Sequence, residues 1–334
     1  MTDPRTSIAE RDPRTPASEL VKQLVPPRQF KTATFDSYRT DPEFPSQQAA
    51  VDTMRATVDA WEGRGRKLFR RTPKVKAGIY LDGGFGVGKT HLLASLWKAV
   101  SGRRHFGTFI EYTALVGALG YREAVQALSG ASLVAIDEFE LDDPGDTMVM
   151  TRLLGELVAS GTKIAATSNT PPNALGEGRF AAKDFLREIQ AISDTFDIMR
   201  IDGHDYRQRD IDGHAVVADD AEIERVIAEE PGTISVDTFD GIVKHLATVH
   251  PSRYVDLVRG IDGAVIRDAR PLADENEALR FVALVDRLYD AQIRIWASGT
   301  ALDDVFGDEM LGGGYRKKYL RAVSRLNALT AGQF

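Results

Sequence analysis

The sequence predicts an α/β fold: a parallel sheet between helices, built on a phosphate-binding loop and followed by a C-terminal α/β or mixed extension. Three observations predict it. Residues Gly83-Gly84-Phe85-Gly86-Val87-Gly88-Lys89-Thr90 fit the pattern G-x-x-x-x-G-K-[ST] without a mismatch. An apolar strand, Gly78-Ile79-Tyr80-Leu81, precedes them, and an apolar helix start, His91 to Trp97, follows. In that context successive backbone N–H groups turn inward on a polyphosphate. Strand-like and helix-like segments then alternate, which calls for parallel strands joined by helical crossovers. Lastly, the apolar run Leu133-Val134-Ala135-Ile136 ends in adjacent carboxylates, Asp137 and Glu138. A buried parallel strand would deliver both to the carboxyl edge of the sheet, where such folds place ligands.

The bulk properties bound the function. The chain has 334 residues, 43% hydrophobic and 27% charged, which describes an ordinary globular protein with room for one large domain or two smaller ones. It has no cysteine, so disulfides and thiolate metal sites are excluded; a reducing cytosol suits it. No apolar run is long enough to span a bilayer and no signal peptide is evident, so a cytoplasmic protein is expected. The net charge of −7 weighs against a dedicated nucleic-acid binder.

In chain order, residues 1–28 are rich in Pro, Arg, Ser and Thr and are expected to form a mobile arm or a loosely docked lead-in. Residues 29–77 form a helical lead-in: from Pro45 the apolar residues Val51, Met54, Val58 and Trp61 share one helix face. The stretch from Arg64 to Lys76 carries seven basic residues and no acid. It reads either as a contact for an acidic partner, membrane surface or nucleic acid, or as a solvated loop. The core spans 78–204, with strands expected at 78–82, 108–112, 132–137, 163–168 and 196–201. Residues 205–334 form a C-terminal domain in which Asp237 to Leu257 reads as helix with polar turns. There Gly263-Ala264-Val265-Ile266, a helix over 276–290 and a strand from Ile293 to Ser298 echo the unit from Leu133 to Ser168. Superposed without gaps, Asp137 falls on Arg267, Glu138 on Asp268, Ser168 on Ser298 and Asn169 on Gly299. Two strand–helix–strand units of common length would also align this way without duplication.

The chemistry-bearing residues fall at strand ends. Lys89 is expected on the outer phosphates of ATP, with Gly83 to Gly88 and His91 completing the nucleotide-binding run and the Thr90 hydroxyl on Mg2+. Asp137 is expected to hold Mg2+, and Glu138 to orient or deprotonate the attacking water. Asn169, ending Ala165-Ala166-Thr167-Ser168, either hydrogen-bonds that water or caps the turn into Pro171-Pro172. Arg179 and Arg187 read either as arginines reaching a neighbouring subunit's phosphates or as surface charges. Arg280 reads either as a nucleotide contact from the C-terminal domain or as part of a surface salt bridge. Hydrolysis is the expected activity. An Asn-Lys-x-Asp guanine-specificity segment is missing, and Leu311-Gly312-Gly313-Gly314 lacks the Ser and Gln of a transporter ATPase signature.

Several segments together resemble the ZapE-type cell-division ATPases: Gly78 to Thr90, Ile136-Asp137-Glu138-Phe139, Ala166 to Pro172, Asp205-Tyr206-Arg207 and Arg280 to Tyr289. The resemblance spans about residues 30–310. It implies an AAA+ type P-loop ATPase related to a mitochondrial branch, using ATP and Mg2+. The implied setting is the division ring at the inner face of the membrane, with a tubulin-like division GTPase as partner, a homo-oligomer and a peripheral membrane contact. Where relatives carry His-Phe-His-x-Phe-Met, this chain has His105 to Ile110, and Ala182 to Arg187 replaces their Arg-x-Arg-Phe-Leu. The trans-acting arginine is therefore not transferable. Two other readings remain: a helicase-loader or replication-initiator ATPase using the Arg64–Lys76 stretch for DNA, and a nucleotide-gated scaffold that turns over negligibly.

Overall fold

The computed structural model describes residues 5–12, 17–64, 76–84, 86–141, 144–172, 175, 194, 196–204, 213–249 and 251–333. Along the chain the elements are β1 (Arg5–Thr6), α1 (Ala17–Lys22), α2 (Pro45–Trp61), β2 (Gly78–Gly83), α3 (Lys89–Ala99), β3 (Arg104–Thr108) and α4 (Phe109–Leu119). Next come α5 (Tyr121–Leu128), β4 (Leu133–Asp137), α6 (Pro144–Ala159), β5 (Lys163–Ser168) and β6 (Phe196–Ile201). The remainder is α7 (Asp220–Glu229), β7 (Ile234–Thr238), α8 (Phe239–Leu246), α9 (Tyr254–Leu257), β8 (Gly263–Ala269), α10 (Glu275–Asp290), β9 (Arg294–Gly299), α11 (Asp308–Gly312) and α12 (Arg316–Ala331). They form two units, one within Pro16–Pro26 and Phe30–Tyr206, the other within Met1–Thr15, Pro27–Gln29 and Arg207–Phe334.

The first unit holds a five-stranded, all-parallel sheet in the order β3-β4-β5-β2-β6. Successive side chains on a strand point to opposite faces, and here both faces are covered. Ile79, Leu81, Leu133, Ala135 and Ala165 pack with Met54 and Val58 of α2 and Leu92, Leu93 and Leu96 of α3. The alternate residues Tyr80, Val134, Ile136, Ile164 and Ala166 pack with Tyr112 and Leu115 of α4, Leu128 of α5 and Leu153 and Leu157 of α6. This explains the unbroken apolar runs in β2, β4 and β5: each strand has no wet side. Helix α2 belongs to the same unit as the sheet.

The strand expected at 108–112 lies instead at Arg104–Thr108, and Phe109 opens α4. A capping box causes the switch. The Thr108 side chain accepts from the Glu111 amide (3.3 Å) while Glu111 Oε2 accepts from the Thr108 amide (2.6 Å). Thr-x-x-Glu before an apolar run is a helix start, and it overrides the β-branched appearance of Thr108-Phe109-Ile110.

The second unit holds a four-stranded parallel sheet in the order β1-β7-β8-β9. Ala264 and Ile266 face Phe239, Leu246, Phe281 and Leu284 on one side, while Val265 and Trp296 meet Ile223 and Val226 of α7 on the other. The region expected as helix with polar turns from Asp237 to Leu257 becomes helical at Phe239, because Asp237 and Thr238 end β7; the Thr238 side chain caps α8 by accepting from the Gly241 amide at 3.1 Å.

Residues 5–12, expected within a mobile arm or loosely docked lead-in, are docked. Arg5 and Thr6 pair in parallel with Ile234 and Ser235. The buried Asp237 carboxylate then accepts from Ser7 Oγ (2.6 Å), the Ile8 amide (2.9 Å) and the Ala9 amide (3.0 Å). Arg11 donates to the carbonyls of Leu257 (2.8 Å), the last residue of α9, and Arg259 (2.7 Å), just beyond it. Composition alone left a mobile arm and a docked lead-in both open because the anchoring groups come from more than 200 residues away. Removing the Asp237 acceptor strands a buried amide at Ile8. Asp237→Ala is therefore expected to weaken this unit by about 2–4 kcal/mol. Limited proteolysis should cut near residue 12 sooner in the variant, and equal cleavage rates would show that the clasp contributes nothing. Among the described residues, no helix is long and apolar enough to cross a membrane.

Candidate functional site

The sheet order of the first unit creates the site. β5 lies between β2 and β4, so three strand ends converge: the glycine loop after β2, residues 138–140 after β4 and residues 169–172 after β5. Register keeps them level, with Asp82 opposite Ser168 and Ile136 opposite Ala166.

The loop turns through Gly86 (φ 69°) and Gly88 (φ 84°), the latter at the N-cap of α3. Gly88 has no room for a side chain: a Cβ there would lie 2.5 Å from the Tyr38 ring. Tyr38 holds this turn by donating its hydroxyl to the Val87 carbonyl at 2.6 Å. The first turn of α3 carries no acid, so the helix dipole and the amide-rich N-terminus favour an anion. Lys89 Nζ donates to the carbonyls of Gly83 (3.0 Å) and Gly84 (2.6 Å) and to Asn169 Oδ1 (2.9 Å). The Asn169 side chain thus reaches across to the lysine.

Asp137 is 7% exposed. Thr90 Oγ1 donates to it, 3.0 Å from Oδ2 and 3.2 Å from Oδ1, and Thr167 Oγ1 also hydrogen-bonds Oδ1. Burial first, then the neighbouring Glu138 charge, pushes the Asp137 carboxyl above the usual carboxylate range; Thr167, Thr90 and Lys89 pull it back. A carboxylate and a hydroxyl so joined are hard oxygen donors, and a cation would offset the burial that disfavours the ionised acid. This donor set fits Mg2+.

Glu138 has left-handed backbone (φ 52°), and its amide donates to Thr167 Oγ1 at 3.2 Å. That geometry is uncommon outside glycine and redirects the chain where β4 ends. Thr167 thus bridges both acids. Sequence reasoning missed its role, which follows only once β5 is known to lie beside β4. Glu140 was also missed: it accepts from Ser168 Oγ (3.0 Å), the Asn169 amide (3.1 Å) and Thr170 Oγ1 (3.2 Å). Tyr38 carried no motif signal at all.

The His91 ring packs by Phe30 and Tyr38, with Nε2 3.0 Å from both Ser37 Oγ and the Thr34 carbonyl. Its side chain serves the lead-in, so its part in the helix N-terminus is its backbone. Arg280 lies in α10 of the second unit, where its charge acts on Tyr254. Phe85, Arg179, Arg187, Asp205-Tyr206-Arg207 and the interior of the basic stretch lie outside the described residues.

The echo in the second unit is one of backbone. Asp268 shares the left-handed conformation (φ 59°), and its amide donates to Ser298 Oγ of the adjacent strand at 3.2 Å. Among the described residues no phosphate loop accompanies it, because Thr238 leads from β7 straight into α8 as a cap.

The sequence model for the AFG1-like ATPase family matches residues 14–224 and 218–334. The chain is 27% identical over 299 residues to the cell division protein ZapE of Escherichia coli strain K12, covering 77% of this chain and 79% of that one. It is 24% identical over 280 residues to lactation elevated protein 1 homolog B of Danio rerio, covering 67% of this chain and 55% of that protein. The crystal structure of the DnaC helicase loader superposes on 52% of this chain and 99% of its own, with a TM-score of 0.39 and 15% identity. That likeness is too distant to bear on function.

Proposed function

The chain belongs to the AFG1-like ATPase family, and from that premise we propose that its first unit hydrolyses Mg2+-ATP at the β2–β4–β5 edge. In this reading the α3 N-terminus and Lys89 bind the β- and γ-phosphates. Thr90 and Asp137 hold Mg2+, which when bound offsets negative charge on the phosphates. Glu138 takes the proton of the attacking water, and Asn169 positions that water. The observation that carries the reading is the meeting of Lys89 with Asn169 and of Thr90 with Asp137 at one sheet edge. A loop that merely stored Mg2+-nucleotide would use Asp137 for the metal but would have no need of Glu138.

The proposal extends to biology: this ATPase works at the division ring, on or beside a polymerised tubulin-like GTPase. The similarity to a cell division protein supports this. A homo-oligomer belongs to the same reading, with Arg179 or Arg187 of one copy reaching the γ-phosphate held by its neighbour. The test is phosphate release by the purified chain with and without polymers of the tubulin-like protein. Mg2+-dependent release that rises with polymer is expected. Release indifferent to polymer would remove the division partner, and no release under either condition would overturn the hydrolytic reading.

A further inference from the structure

The segment leaving β4 is held at one point and clasps at another. Phe139 is fully buried, its ring centroid 5.2 Å from that of Phe109 and 6.1 Å from that of Tyr80, and its amide donates to the Thr167 carbonyl at 2.7 Å. This fixes Glu140, one residue on, beside the end of β5. Its two carboxylate oxygens accept from three consecutive residues: Ser168 through its hydroxyl, Asn169 through its amide and Thr170 through its hydroxyl. The turn is braced further by the Thr170 amide, which donates to Ser168 Oγ at 3.0 Å, and by the Tyr80 hydroxyl, which donates to the Thr170 carbonyl at 2.8 Å.

Asn169 sits at the middle of that clasp, its backbone on Glu140 and its side chain on Lys89. One line of hydrogen bonds therefore runs from the end of β4, through the end of β5, to the loop after β2. We propose that Glu140 is a positioning residue of the ATPase site: it sets the 168–170 turn so that the Asn169 side-chain carboxamide faces the γ-phosphate and attacking water. The role rests on the hydrolytic reading above. Charge-assisted bonds are stronger than neutral ones and hold geometry more tightly, which is what a water-orienting side chain needs. Lys89 keeps the Gly83 and Gly84 carbonyls whatever Asn169 does. Loss of the clasp should therefore slow turnover and spare nucleotide binding.

The test is a double-mutant cycle on the full chain with Glu140→Ala and Asn169→Ala. It reads kcat at saturating Mg2+-ATP and the Kd of a fluorescent non-hydrolysable ATP analogue. Each single variant is expected to lose about 10- to 100-fold in kcat, the range for misplacing a reacting group, with Kd nearly unchanged. The double variant should fall no further than the worse single one, because both break the same line. Glu140→Gln keeps an acceptor oxygen for Asn169 and should lose less than Glu140→Ala. Hydrogen exchange at the Asn169 amide should quicken in Glu140→Ala and recover in Glu140→Gln. Multiplicative losses in the double variant, a weakened Kd matching the loss in kcat, or unchanged exchange would each overturn the role of Glu140 and leave the site intact. An unaltered chain that binds the analogue yet releases no phosphate from ATP would overturn the hydrolytic reading, and the role of Glu140 with it.

Discussion

Glu138→Gln is expected to bind ATP with near-native affinity and to hydrolyse it at least about 100-fold more slowly, the effect of removing a general base. Gln has almost the same shape as Glu and can keep the left-handed backbone at position 138, whose backbone N–H donates a hydrogen bond to Thr167 Oγ1. What it cannot do is accept a proton from water. The proposed Mg2+ ligands, Thr90 and Asp137, are untouched, so the phosphates should still be held. Losing one negative charge beside Asp137 also relieves one of the influences that raise that acid's pKa. Metal affinity should therefore not suffer. The variant should accumulate as an ATP-bound species, seen as retained nucleotide after gel filtration together with lost phosphate release. Turnover close to that of the unaltered chain would remove Glu138 from the role of base.

Lys89→Ala should fail one step earlier. Its ammonium lies at the mouth of the loop, bonded to two loop carbonyls and to Asn169. In the proposed site it is the loop's charged contact with the outer phosphates. A charge-assisted bond of about 2–3 kcal/mol corresponds to roughly 30- to 150-fold in affinity. ATP binding should weaken by at least that factor, with hydrolysis lost at ordinary ATP concentrations. Lys89 is partly exposed, so the melting temperature without nucleotide should barely change. Equilibrium titration of a fluorescent ATP analogue checks this, and unchanged affinity would mean that the loop does not grip through its lysine. The two variants thus separate binding from chemistry.

Much of the site was legible because its signals are local. A loop glycine, the lysine and threonine after it, and an acid pair ending an apolar strand are each set by a few neighbouring residues. The alternation of elements showed a parallel sheet for the same reason, since strands buried on both faces must be apolar throughout. The misread strand at 108–112 was also a local matter: Thr108 and Glu111 spell a capping box, and giving that more weight than apolar content would have placed α4 correctly.

By itself, the sequence determined that this chain folds as α/β, that a glycine-rich loop of the phosphate-binding pattern follows one strand, and that Asp137, Glu138 and Asn169 fall at the ends of others. Tertiary structure decided which of these ends touch. Placing β5 between β2 and β4 brings Asn169 to Lys89, puts Thr167 beneath both acids and gives Glu140 a turn to clasp. It also carried residues 5–12 onto the edge of the second sheet, to a carboxylate at position 237. The physical reason is common to both. Periodicity and caps act within a few residues, whereas strand order and edge pairing depend on how distant apolar faces are buried together, and a polar side chain finds its partner only after that burial is settled.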